Sequence, residues 1–499
     1  MSGALIQLMQ TDNKKSGLSR DILAYVPIKL MPAITGLLGI IILARNLAPE
    51  EYGRYSVVIT TALLLVQLAG SWISSSVLYL FPEYSDEKNR SEFRRQTINL
   101  QLLISLPASG IAYAAIYMVT HIQQLALVGG LLVFFQLLQG LLMTFLQSAR
   151  NIYTQTISVA IQCIFQVGSL CILIFVVNGK EAAAVVSVVI GFIAGNIILF
   201  FANKKLKIEI SGTHKIISRE LLLKMAAYGL PMCLWFFSTQ FYMIGDRIFL
   251  QFYGVSEQLG QYASFRDLAT GCAGFLTMPL VMASHPIIMA KWKSKCDPRE
   301  IEAILSGNIV FLSMLFIPLI VMTDIVGRDL ITAMFGQRYF LPESIMLLVV
   351  TSIFLGSVSI HLQKGLEVTG QTSKMAKISL VTAIFNAVGN IIAIPKFGVL
   401  GGAVMVFISG VLYLILIIIS VRNILLPRIA LKFFIKLIVW ALVTEITLRF
   451  TQTFTQLYLD KLTITIFNFL CIMIAALILV LSDKKIRQFV MLRLGSHSH

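Results

Sequence analysis

Long apolar runs alternate along the chain with short connections that carry charge, glycine or proline. The runs number fourteen, near 22–43, 55–81, 97–119, 126–145, 153–177, 185–201, 225–250, 262–290, 306–323, 344–368, 374–394, 401–420, 433–450 and 463–481. At a helical rise of about 1.5 Å per residue, runs of this kind cross a hydrocarbon core of roughly 30 Å. They are too continuous for barrel strands, and in lipid each segment must satisfy its own backbone N–H and C=O groups, so all are read as helices. The expected fold is all-α: a polytopic integral membrane protein of about 14 transmembrane helices.

Composition sharpens that reading. Hydrophobic residues make up 57% of the 499 positions and charged residues only 13%, with a mean hydropathy of +0.84, which excludes a soluble enzyme. The net charge of +16 would suggest nucleic acid in a soluble protein, but position explains it here. Alternate connections, counted with the span ends that adjoin them, place 28 Lys and Arg on the side shared by the two termini and 8 on the other, while Lys29, Arg247, Arg266 and Lys364 are counted within spans. By the positive-inside rule both termini are expected in the cytoplasm, and no nucleic-acid partner is needed. No cleaved targeting sequence is read at the N-terminus. Five of six cysteines lie in spans and Cys296 in a loop, with no disulfide framework.

An internal repeat organises the spans. Leu43, Glu50, Gly53 and Tyr55 match Leu250, Glu257, Gly260 and Tyr262 at a constant offset of 207. Six spans separate the copies, so the halves share one orientation, as in parallel-repeat transporters. The expected organisation is a cytoplasmic segment 1–21, an N-lobe 22–201 of six spans, a basic cytoplasmic linker 202–224, a C-lobe 225–420 of six spans, two further spans within 421–481, and a cytoplasmic tail 482–499.

The run ITGLLGIIILARNLAPEEYGRYSVV, residues 34–58, and LYLFPEYSDEKNRSEFRR, residues 78–95, resemble the N-terminal signature of Wzx-type polysaccharide flippases of the multidrug/oligosaccharidyl-lipid/polysaccharide exporter superfamily. IGDRIFLQFYGVSEQLGQYA, residues 244–263, is similar to the start of that family's second lobe. The resemblance implies an Arg just before the Phe-Pro-Glu element, but Leu78, Tyr79 and Leu80 stand there, so no phosphate contact is expected from that position. The resemblance implies movement of an undecaprenyl-pyrophosphate-linked oligosaccharide repeat unit from the cytoplasmic to the periplasmic leaflet of a bacterial inner membrane, by alternating access, for O-antigen, capsule or exopolysaccharide synthesis. It implies contact with membrane lipids and with polysaccharide polymerase or export machinery, and no cofactor or enzymatic step. The alternative within the superfamily is a multidrug or other small-cation antiporter. A membrane glycosyltransferase or polymerase is disfavoured because the longest connections are only about twenty residues.

A pyrophosphate head cannot cross hydrocarbon unaided, so cations inside spans are the first candidates for its contacts. Lys29, between Pro27 and Pro32, would cost roughly 2.5 to 3.5 kcal/mol facing lipid near the bilayer centre, so it is expected either to line a cavity or to snorkel to the headgroups. Asp246 and Arg247 end the seventh span while Arg266 and Asp267 begin the eighth, at similar depth. Two readings stand: ion pairs across the hairpin, Asp246 with Arg266 and Arg247 with Asp267, or arginines that meet phosphate oxygens bidentately. His361, Lys364 and Glu367 follow at i, i+3 and i+6, which suits either a coupled proton or an internal Lys364–Glu367 pair. Arg45 and Arg54 flank the first turn as rim or head-group residues, and Glu445 either pairs with one of these cations or lies near the surface.

No GxxxxGK[ST] loop is present, which argues against built-in ATP hydrolysis, and no HExxH, paired-cysteine or GxSxG pattern occurs. Asp246, Asp267, Glu367 and Glu445 are candidate ion-coupling carboxylates, with His361 as a proton carrier. The membrane potential is an alternative drive: two negative charges moved outward across 100 mV gain about 4.6 kcal/mol, at ~2.3 per charge. His285, beside Pro286, reads as structural, GFIAG at 191–195 as close packing, and the sequon at Asn89 as inert.

Overall fold

The computed structural model describes residues 30–84, 86–149, 151–204, 217–427 and 431–455, with residue 28 and isolated positions between 464 and 474. Among them every regular element is helical. The elements are α1 (Leu30–Asn46), α2 (Pro49–Leu80), α3 (Glu87–Thr120), α4 (Gln123–Ser148), α5 (Ile152–Cys171), α6 (Glu181–Lys204), α7 (Arg219–Ile244), α8 (Asp246–Phe252), α9 (Ser256–Lys293), α10 (Pro298–Phe335), α11 (Glu343–Leu362), α12 (Lys364–Val368), α13 (Thr372–Val421) and α14 (Leu431–Thr455). Nine of these are long and apolar enough to cross a bilayer, and the bent α9 makes a tenth. Two expected spans, 374–394 and 401–420, fall within α13, which breaks at Gly398 (φ 56°). The last expected span, the N-terminal segment, residues 205–216 of the linker, the tail and Lys29 lie mainly or wholly outside the described residues.

The helices are built as a bilayer requires. In α13 the exposed large residues Val381, Ile384, Phe385, Val388, Ile391 and Ile392 recur at helical spacing, whereas Ser379, Thr382, Asn386 and Asn390 are buried. Apolar groups face the solvent because that solvent is lipid, and polar groups face protein because only protein offers hydrogen bonds. Hydroxyls follow the same rule by folding back on their own helix, as Thr97 does on Phe93 O (2.8 Å) and Ser313 on Ile309 O (2.8 Å). Helix starts are conventional: Pro298 occupies the first turn of α10 and the Asp297 carboxylate accepts from Arg299 N at 2.9 Å.

The chain forms two compact units, 1–39 with 57–237, and 40–56 with 238–499. The boundary therefore runs within α1, α2 and α7. In the first unit α4, α5 and α6 pack together, and α2, α3, α4 and α7 enclose a cluster that includes Ile73, Phe81, Phe93, Leu141, Phe145 and Met225. In the second unit Val321 of α10 packs with Leu448 of α14, and α9, α10 and α12 meet at Ile288, Leu305 and Val368.

Candidate functional site

The second unit gathers the charge. Gly245 interrupts α7 so that Asp246 starts α8, and the short α8 turns at Gly254 into α9. This hairpin brings Asp246 opposite Arg266 and Arg247 opposite Asp267. Arg266 Nη1 donates to Asp246 Oδ1 and Oδ2 at 3.1 and 2.8 Å, and Arg247 Nη2 donates to Asp267 Oδ1 at 2.6 Å. Of the two readings open for these residues, the geometry is that of the cross-hairpin pairs. Asp246 is 0% exposed, Arg266 4% and Arg247 5%, so neither guanidinium is open to a ligand here.

Three further side chains join the network. Tyr262 OH donates to Asp246 Oδ2 at 2.6 Å, Tyr52 OH donates to Asp267 Oδ2 at 3.0 Å, and Arg247 Nη1 donates to Ser56 Oγ at 2.8 Å. Sequence spacing did not single out Tyr52 and Ser56, which lie 215 and 191 residues from these partners. The repeat was the available signal, because it contains Tyr262 and spans both of the others.

The repeat also fixes how α2 meets α9. A Cβ at Gly260 would sit 1.6 Å from Pro49 O, and one at Gly53 would sit 2.6 Å from Ser256 O. Pro49 and Ser256 are themselves separated by 207, so the offset carries each contact onto the other. Only glycine permits the helices to approach this closely.

At α12 the Lys364 Nζ lies 2.5 Å from Glu367 Oε2 and 3.2 Å from His285 Nδ1. Gln363 Nε2 donates to Glu367 Oε1 at 3.2 Å and Tyr413 OH donates to Gln363 Oε1 at 2.9 Å. His361 is fully buried in α11, before the break at Gln363, and its Nδ1 lies 3.2 Å from Asn308 Nδ2. The histidine beside Lys364 is thus His285, from α9. The other candidates lie apart. Arg54 pairs with Glu50 one turn away at 2.7 Å, and Arg45 donates to backbone carbonyls of α10. Among the described residues Glu445 pairs with none of Arg247, Arg266 and Lys364: it accepts from Arg449 Nε at 3.2 Å, and Arg449 also bonds Asp324. The described residues contain no group of three or more His, Cys, Asp or Glu side chains placed to hold a metal.

Residues 18–292 match the family described as polysaccharide biosynthesis protein. The chain belongs to that family. All three resembling segments, 34–58, 78–95 and 244–263, fall within the match. A curated relative, the probable low-salt glycan biosynthesis flippase Agl15 of Haloferax volcanii, is 23% identical over 121 residues, 24% of this chain. That match spans only 26% of the relative's length. Among solved structures, the lipid II flippase MurJ in an inward closed conformation superposes with a TM-score of 0.74 at 16% identity, covering 95% of this chain and 99% of its own. An inward-facing multidrug resistance transporter of the MATE family, MOP superfamily, gives 0.62 at 12% identity, covering 81% and 97%. At these identities the likeness establishes the fold.

Proposed function

We propose that this protein is a flippase that carries an undecaprenyl-pyrophosphate-linked oligosaccharide from the cytoplasmic to the periplasmic leaflet of a bacterial inner membrane, with both termini in the cytoplasm. Family membership over residues 18–292 carries the proposal, and a glycan flippase relative and a lipid II flippase fold support it. The MATE fold is shared as well, so fold does not decide between a lipid-linked glycan and a small cation. Charge favours the glycan, since in this conformation a small cation would have to compete with the protein's own cations for each candidate carboxylate, whereas an anionic head group would release them. Asp246, Asp267, Glu367 and Glu445 each accept from a basic side chain.

On this reading the two six-span lobes, 22–201 and 225–420, alternate access, and the product passes to polymerase or export machinery. Lys29, Lys364, Arg45 and Arg54 contact the head group. Arg247 and Arg266 join them when phosphate displaces their acids, and the released Asp246 and Asp267, with Glu367, Glu445 and His361, exchange the coupling ion.

Deleting the chain in its host tests this. Lipid-linked repeat units are expected to accumulate in the cytoplasmic leaflet while surface glycan is lost. The wild type restores display, and Lys364→Ala at equal membrane abundance does not. Unchanged surface glycan with no accumulation contradicts the proposal.

A further inference from the structure

The end of α10 carries a cationic feature outside the network above. Gly336, at φ 93°, stops the helix, so the last carbonyls of α10 need partners from elsewhere. Arg45 supplies them, donating from Nε to Met334 O at 2.8 Å and from Nη2 to Ala333 O at 3.3 Å. Arg338 in turn donates from Nη2 to Arg45 O at 2.6 Å, while Gln261 Nε2 holds Arg338 O at 3.0 Å. Tyr339 OH donates to Leu47 O at 3.1 Å, which ties the α1–α2 turn to the same place.

These bonds fix two arginines beside each other in an open cavity of about 490 Å³, lined also by Ala333, Phe335, Gly336 and Gln337. That volume lies in the range of about 300 to 1,000 Å³ usual for small-molecule sites. No carboxylate lines the cavity, and among the described residues neither arginine forms an ion pair. A guanidinium has five N–H donors in a planar fork, and the bonds above use two on Arg45 and one on Arg338. The remaining donors suit the paired oxygens of a phosphate, and the negative end of the α10 dipole is already covered by Arg45.

We propose that this cavity is a phosphate-binding site, filled either by the head of an anionic phospholipid or by the pyrophosphate of the carried lipid. The second source rests on the function proposed above. Arg338 is the side to alter, because Arg45 also caps α10.

The full-length protein, as wild type, Arg338→Ala and Arg338→Lys, is titrated in neutral detergent with farnesyl pyrophosphate against farnesol. The same variants are placed in phosphatidylcholine nanodiscs with and without phosphatidylglycerol, and retained lipid is measured by mass spectrometry. Wild type is expected to bind farnesyl pyrophosphate but not farnesol, with Arg338→Ala about tenfold or more weaker and Arg338→Lys between them. That outcome assigns the carried lipid's phosphates. Retention of phosphatidylglycerol by wild type, lost in Arg338→Ala, assigns a phospholipid head. If Arg338→Ala equals wild type in both arms, the proposal is overturned. Should Arg338→Ala fail to fold, Gln337→Glu puts a carboxylate in the cavity wall and is expected to weaken binding similarly, with unchanged binding overturning the site. Binding is read without transport, so loss of this site leaves the transport reading standing, and the converse holds.

Discussion

The polar groups inside the α4–α6 bundle and those of the α8–α9 hairpin handle burial differently. In the first, Gln139 Nε2 donates to Gln162 Oε1 at 2.7 Å, Ser158 Oγ to Gly195 O at 3.0 Å and Asn196 Nδ2 to Phe135 O at 3.0 Å, all neutral. In the second, two aspartates and two arginines share a site closed by two tyrosines and a serine. Neutral interhelical bonds in membranes are worth about 0.6 kcal/mol on average. Charges buried together are tolerated only with every partner present, and losing one partner costs about 3–5 kcal/mol. The α8–α9 hairpin is therefore where the sequence commits most energy to one arrangement, and it coincides with the repeat contact between Gly53 and Gly260.

The largest effect separating the two regions is expected from Asp246→Ala, which leaves Arg266 buried without its carboxylate. Thermal unfolding in detergent is expected to show a loss of about 3–5 kcal/mol, mostly recovered when Asp246→Leu is combined with Arg266→Met. An unchanged midpoint in the single variant would remove the network from the stability of the hairpin. Next comes Gly260→Ala, whose methyl must displace Pro49 O, a backbone atom, at a cost of about 1–3 kcal/mol or more. Gly274→Ala, with open space around its Cβ, is the control and is expected to be neutral or slightly stabilising. The smallest effect is expected from Gln139→Leu in the neutral bundle, about 1 kcal/mol or less in the same assay. A loss as large as that of Asp246→Ala would erase the distinction between the regions.

Much of the fold was legible because lipid imposes its pattern on sequence: spans need length and apolarity, and both read directly from residues such as 374–420. The pairing of Asp246 with Arg266 was legible as one of two options, since depth along two adjacent helices follows from residue number. Contacts between distant helices were not legible. Asn308 beside His361, His285 beside Lys364, and Arg45 on the carbonyls of α10 depend on how each helix is rotated about its axis, which spacing within one helix does not encode. Glu445 illustrates the point, since its partner Arg449 was one turn away while the third member, Asp324, lies on another helix.

The function proposed for this chain is movement of a pyrophosphate-linked glycan across a bilayer. Purified full-length protein in liposomes, supplied with a fluorescently labelled polyprenyl-pyrophosphate oligosaccharide, tests it directly by quenching with membrane-impermeant dithionite. Label initially sheltered in the inner leaflet is expected to become quenchable only when the protein is present, and more slowly with Lys364→Ala. Inner-leaflet label that stays protected despite correctly inserted wild-type protein would contradict the account.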